Sequence, residues 1–153
     1  MVRWPRVRVQ GALLVLLAAV GQSMAPAADY SAGDLQVREP WSRPTPPAAS
    51  VGVVYFSVEN RGRKADRLLG ISSPVADKVE MHETRMHQGA VEMRAVTTVE
   101  CPPGVTLKSE PGGLHVMLIG LIHPLVAGAK FPMALRFRDA GIIDVQVLVG
   151  NPE

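Results

Sequence analysis

From Leu35 onward, apolar and polar residues alternate in short runs broken by Gly, Pro or Asn. Leu35-Gln36-Val37-Arg38 alternates as a first strand, preceded by a polar tail over residues 28–33, and Pro40 is expected to end it. Arg43-Pro44-Thr45-Pro46-Pro47 cannot pair in a sheet, because each proline removes a donor, and so reads as an extended loop. Residues 50–59 (SVGVVYFSVE) are rich in β-branched and aromatic side chains and predict a second strand, closed by the turn chemistry of Asn60-Arg61-Gly62. Further strands are predicted over residues 67–72, 79–86, 91–99, 105–107, 114–118, 131–137 and 143–149. Between them stand turn signals such as Pro111-Gly112-Gly113, Ala127-Gly128 and Asp139-Ala140-Gly141. No long 3.6-residue apolar period occurs, and only a turn is expected near residues 73–76. Short strands at regular spacing predict an all-β sandwich or barrel.

Composition narrows the class. A chain of 153 residues fits one domain, and 47% hydrophobic with 20% charged residues is too apolar for disorder. Residues 1–27 begin with Arg3, Arg6 and Arg8, continue in an apolar run from Gly11 to Val20, and end in small residues at Ala25-Pro26-Ala27. That is the three-part pattern of a cleaved secretory signal peptide, with a run too short to span a bilayer. The expected product is an exported domain over residues 28–153. No cysteine stands at the junction to accept a lipid. Without the three leader arginines the remaining basic residues nearly balance the 14 acidic ones. The cluster Arg61, Arg63, Lys64 and Arg67 reads as a solvated turn, and nucleic-acid binding has no support. Cys101 is the only cysteine, so no intrachain disulfide forms, and it reads as a small half-buried residue at a strand end.

Enzyme motifs are absent: there is no G-x-S-x-G, H-E-x-x-H, C-x-x-C or phosphate-binding glycine loop. Instead, Met81, His82, Met86, His87 and Met93 crowd into about a dozen residues, and His115-Val116-Met117 repeats the pairing. Thioether sulfur is a soft ligand and imidazole a borderline one, so the two together select Cu(I) over hard ions. On a strand, His115 and Met117 point the same way and Val116 the other. If residues 87–90 form a hairpin turn centred between Gln88 and Gly89, His82 faces Ala95, and Met93 lies diagonally on the same face. A one-residue slip would separate them.

His82, ten residues, Met93, twenty-one residues and then His115-x-Met117 is a spacing that resembles the PCu(A)C family of periplasmic copper chaperones. Val79-Glu80-Met81-His82-Glu83, Pro111-Gly112-Gly113-Leu114-His115-Val116-Met117-Leu118, Gly120-Leu121, Pro124-Leu125 with Gly128, Pro40-Trp41-Ser42-Arg43 and Tyr55-Phe56 with Asn60 carry the same resemblance. It implies a cupredoxin-like antiparallel β-sandwich of Greek-key barrel type that holds one Cu(I) through His82, Met93, His115 and Met117 and catalyses nothing. It further implies a monomeric periplasmic carrier that leaves the membrane on signal cleavage and supplies the binuclear copper site of a respiratory cytochrome oxidase subunit, alongside a Sco-type thiol chaperone. Met86 falls beside the motif as an auxiliary ligand candidate, and His87 and His123 read as surface residues.

Three other functions compete. A copper-tolerance or storage protein would use the same ligands. A structural sandwich would use the methionines only as core. A blue-copper electron carrier would need a Cys thiolate beside two His, and Cys101 lacks that context.

Overall fold

The computed structural model describes residues 29–150, so the expected leader lies outside the described residues. Eleven strands follow in chain order: β1 Tyr30–Ala32, β2 Leu35–Ser42, β3 Val51–Asn60, β4 Asp66–Ser72, β5 Ala76–His87, β6 Ala90–Val96, β7 Val99–Cys101, β8 Thr106–Lys108, β9 Leu114–Leu121, β10 Lys130–Phe137 and β11 Ile142–Val149. The described residues contain no helix, as the absence of a 3.6-residue period predicts. Along one continuous path the strand order is β6-β5-β9-β3-β2-β11-β10-β4-β7, with β1 added to β2 and β8 to β3. Strand β3 serves two neighbours on one edge, β9 along residues 51–54 and β8 along residues 57–59. The sheet divides there, and its two layers close over one core.

The core follows from a side-chain period of two. Phe131, Met133, Leu135 and Phe137 alternate inward along β10, and Ile143, Val145, Val147 and Val149 do so along β11. Register sets them side by side on one face, with Phe131 beside Val147, Met133 beside Val145 and Leu135 beside Ile143. Val54, Phe56, Val58, Met81, Val116 and Leu118 are among the residues that join the cluster from the other strands. Each such side chain contributes about 1.5–3 kcal/mol by leaving water.

Four local expectations need correction. Strand β2 does not end at Pro40 but runs on to Ser42, because Glu39 takes a positive φ of 50° and the register shifts between Arg38 and Trp41. The proline sits in that bulge, where its missing donor breaks no ladder bond. The supposed polar tail contains β1, which pairs with β2 through Tyr30 and Val37. Residues 91–99 are two strands, since β6 pairs with β5 while β7 pairs with β4 in the other layer. The ladder between β11 and β2 is parallel, with Leu148 beside Trp41, in an otherwise antiparallel fold.

One buried carboxylate ties the β10–β11 turn to the start of β4. Asp66 accepts hydrogen bonds from the amides of Arg67 at 2.6 Å, Asp139 at 3.0 Å and Ala140 at 2.9 Å. Burial alone would raise this carboxyl, but the three amides, with the Arg138 charge, outweigh burial and hold it below its ordinary value. Its contribution is therefore present above the unfolded carboxyl's pKa and lost as pH falls. Asp66→Asn is expected to lower unfolding free energy by about 2 kcal/mol in urea titrations near neutral pH. The gap to the unsubstituted protein should narrow in acid, and a gap that is constant with pH would rule out the carboxylate as its source.

Candidate metal centre

The hairpin of β5 and β6 turns at Gln88-Gly89, whose φ values are 49° and 81°. Positive φ at both central positions is the two-residue turn whose twist matches the flanking strands, and Gly89 adopts it without a Cβ penalty. The turn sets the register, placing Ala90 opposite His87, Met93 opposite Thr84 and Ala95 opposite His82, as expected for a turn centred between Gln88 and Gly89. On the other edge of β5, His82 lies opposite His115 and Glu80 opposite Met117.

Directly paired residues share a face, as do residues two apart on one strand. His82, Met93, His115 and Met117 therefore all stand on the outer face of this layer. Met81, Val116 and Leu118 point the other way and are buried in the core. The face continues onto β3 and β2, where Tyr55 and Trp41 lie with ring centres 4.7 Å apart. It is graded in depth: His115 is buried, His82 and Met117 are half-buried, and Met93 is 55% exposed.

The two imidazoles have ring centres 6.0 Å apart at an interplanar angle of 40°. An ion about 2 Å from one nitrogen of each ring would stand a little over 3 Å from each ring centre, so this spacing lets two rings share one ion. Hydrogen bonds fix which nitrogens are free. His115 Nδ1 lies 2.9 Å from the Gly113 carbonyl oxygen, which only accepts, so the hydrogen is on Nδ1 and the lone pair on Nε2. His82 Nε2 lies 2.9 Å from a Glu80 carboxylate oxygen, which places its hydrogen on Nε2. His82 Nδ1 is then left with a lone pair, buried and without a partner. A buried nitrogen with no hydrogen bond is costly, and a metal ligand is the use that fits it.

Glu80 is the residue that sequence reading gave no role. Its other oxygen takes a 2.6 Å bond from the Lys78 ammonium. Lys78 first and His82 second hold the Glu80 carboxyl below its ordinary range, so it stays an acceptor facing the ring. Strand parity carries the missing signal, because residues 78, 80 and 82 share a face once His82 is placed on β5.

Among the described residues no three His, Cys, Asp or Glu side chains gather as a metal group. Two imidazoles and two thioethers are what the outer face collects, a donor set suited to a soft monovalent ion. Cys101 stands apart at the end of β7, only 1% exposed, and burial pushes its thiol up to about 11. It is more deeply buried than the sequence suggested, and it is no thiolate. His87 lies on the opposite face of the hairpin, and His123 follows β9 in a loop.

The family model described as LpqE-like matches residues 35–149, nearly all of the described chain. The chain belongs to the LpqE-like family. It is 36% identical over 121 residues to the "Putative lipoprotein Lxx21020" of Leifsonia xyli subsp. xyli, covering 77% of this chain and 70% of that one. It is 32% identical over 120 residues to the "Uncharacterized protein RP573" of Rickettsia prowazekii, covering 74% and 66%. The fold is similar to a solved structure described as "Copper-bound PCuAC domain from PmoF2", with a TM-score of 0.70, 25% identity, and coverage of 82% of this chain and 99% of that domain. The all-β, cupredoxin-like sandwich expected from the sequence is thus the observed fold.

In nitrogen-15 spectra at about pH 8, where free imidazole is neutral, His115 should appear as the Nδ1–H tautomer and His82 as the Nε2–H tautomer. Glu80→Gln keeps an acceptor and should preserve the His82 assignment, whereas Glu80→Leu should convert it to a mixture. An unchanged tautomer in Glu80→Leu would remove Glu80 as its cause.

Proposed function

We propose that this LpqE-like protein is an exported, non-enzymatic Cu(I) carrier that binds one ion through His82, Met93, His115 and Met117. The observation that supports the reading is the shared outer face of β5, β6 and β9, on which these four residues stand and where both rings offer a free lone pair. The likeness to a copper-bound PCuAC domain over 82% of the chain supports copper as the metal. Thioether ligands carry no proton and hold Cu(I) without favouring Cu(II), which suits a carrier that passes on a reduced ion. A blue-copper reading is disfavoured because it needs a thiolate, and the buried Cys101 thiol sits in β7 away from the two histidines.

The leader pattern over residues 1–27 supports export, and the periplasm is the compartment we favour. The Leifsonia relative bears the name of a lipoprotein. Here the only cysteine is Cys101, so an acyl anchor at the leader junction has no acceptor in this sequence. The recipient we favour is the binuclear copper site of a respiratory cytochrome oxidase subunit, with a Sco-type thiol chaperone as co-worker.

The test is anaerobic Cu(I) titration against a competing chelator. His115→Ala is expected to weaken binding by more than about 100-fold and Met117→Leu by at least about tenfold, since loss of a mere supporting partner already costs 10–100-fold. Cys101→Ser should bind as the parent does. Cu(I) binding that survives His115→Ala but disappears in Cys101→Ser would overturn the thioether site. Transfer of the bound ion to a copper-free oxidase subunit tests the recipient separately.

A further inference from the structure

The five methionines of the described residues divide cleanly: Met81 and Met133 fill the core, whereas Met86, Met93 and Met117 share the outer face. Met86 is 73% exposed, more than Met93 at 55%. It lies opposite Val91, one same-face rung beyond the pair formed by Thr84 and Met93. Diagonal same-face neighbours on paired strands are about 7 Å apart, within reach of two unbranched, flexible thioether chains. Val91, 68% exposed, completes an apolar strip that runs outward from the four-residue site to the hairpin tip.

The other face of the hairpin is ionic. Glu83 pairs with Arg85 at 2.8 Å and lies 3.6 Å from Arg94, and His87 shares that side. Strand β6 ends the sheet with β5 as its only neighbour. Two exposed thioethers on an otherwise charged edge hairpin gain little from burial, so packing does not explain their placement there.

Resting on the copper-carrier reading, we infer that Met86 is an exit position for Cu(I), taking the ion from the resting site together with Met93 before an acceptor receives it. Met93 is the most exposed of the four resting ligands, so the site opens toward the hairpin tip. The Met86 sulfur adds to the ion as one imidazole nitrogen lets go; the acceptor's donors then take the places of the second imidazole and Met117, and last of the Met93 and Met86 thioethers. Each step exchanges one neutral donor for another. The ion stays Cu(I), no electron moves, and neither sulfur gains or loses a proton. A thioether pair binds more weakly than the mixed site, so it lowers the barrier to departure without trapping the ion.

The experiment loads the protein with one equivalent of Cu(I) and follows transfer to bathocuproine disulfonate by stopped flow, beside equilibrium competition. Met86→Leu preserves side-chain bulk at an exposed position and removes the sulfur. Its dissociation constant should stay within about twofold of the parent. Its release should be about tenfold slower, which corresponds to about 1.4 kcal/mol on the barrier. In protein labelled with methyl-carbon-13 methionine, the Met86 methyl signal should shift on loading, in exchange with the resting form. An unchanged release rate overturns the exit role. Equal loss of affinity and rate also overturns it, because Met86 would then be a resting ligand. Met117→Leu run in parallel keeps the two claims apart: parental affinity in that variant overturns the four-residue site, whatever Met86 does.

Discussion

The candidate site depends on strand register. Side chains alternate with a period of two, so a one-residue slip of β6 against β5 would carry Met93 to the ionic face and bring Glu92 and Arg94 beside His82. Two different forces hold the two ladders. Between β5 and β9 the choice of face is set by burial, because Met81, Val116 and Leu118 all reach the core only when His82 and His115 share the outer face. Strand β6 is exposed along nearly its whole length and has no such force. There the Gln88-Gly89 turn sets the register, and with it the position of the third donor.

Much of this was legible because it is local. The strands with inward alternation, the hairpin centre and the shared face of His115 and Met117 all follow from residues near one another in sequence. The local pattern misleads where the backbone leaves its ordinary conformation or the chain changes layers. Pro40 signals a strand end, but the positive φ of Glu39 makes a bulge that carries β2 past it. Thr97 and Thr98 look like strand residues, yet the chain leaves one layer there and enters the other. Meeting of the two ligand segments is a long-range fact, since nothing local to β5 names β9 as its neighbour. Glu80 gives no signal in the sequence, because a charged residue on a strand reads as solvent-facing, and only the ring nitrogen beside it gives it a purpose.

The sandwich keeps stability and chemistry on opposite sides of the same strands. Core formation uses Met81, Val116 and Leu118, and the donors occupy the intervening positions, so substitution of a donor leaves the core intact. Separation is incomplete at His115 and Tyr55, which are buried although they point outward. His82 Nδ1 carries a cost of its own. A buried polar atom without a partner costs about 1–3 kcal/mol, and the fold meets that cost rather than turning the ring to find a hydrogen bond. Glu80 prevents the turn, because flipping His82 would exchange a charge-assisted bond for an uncertain one. The ring is thus held in the tautomer and orientation that an incoming ion needs. Binding does not have to reorganise it, and the ion satisfies a nitrogen that the protein alone leaves unpaired.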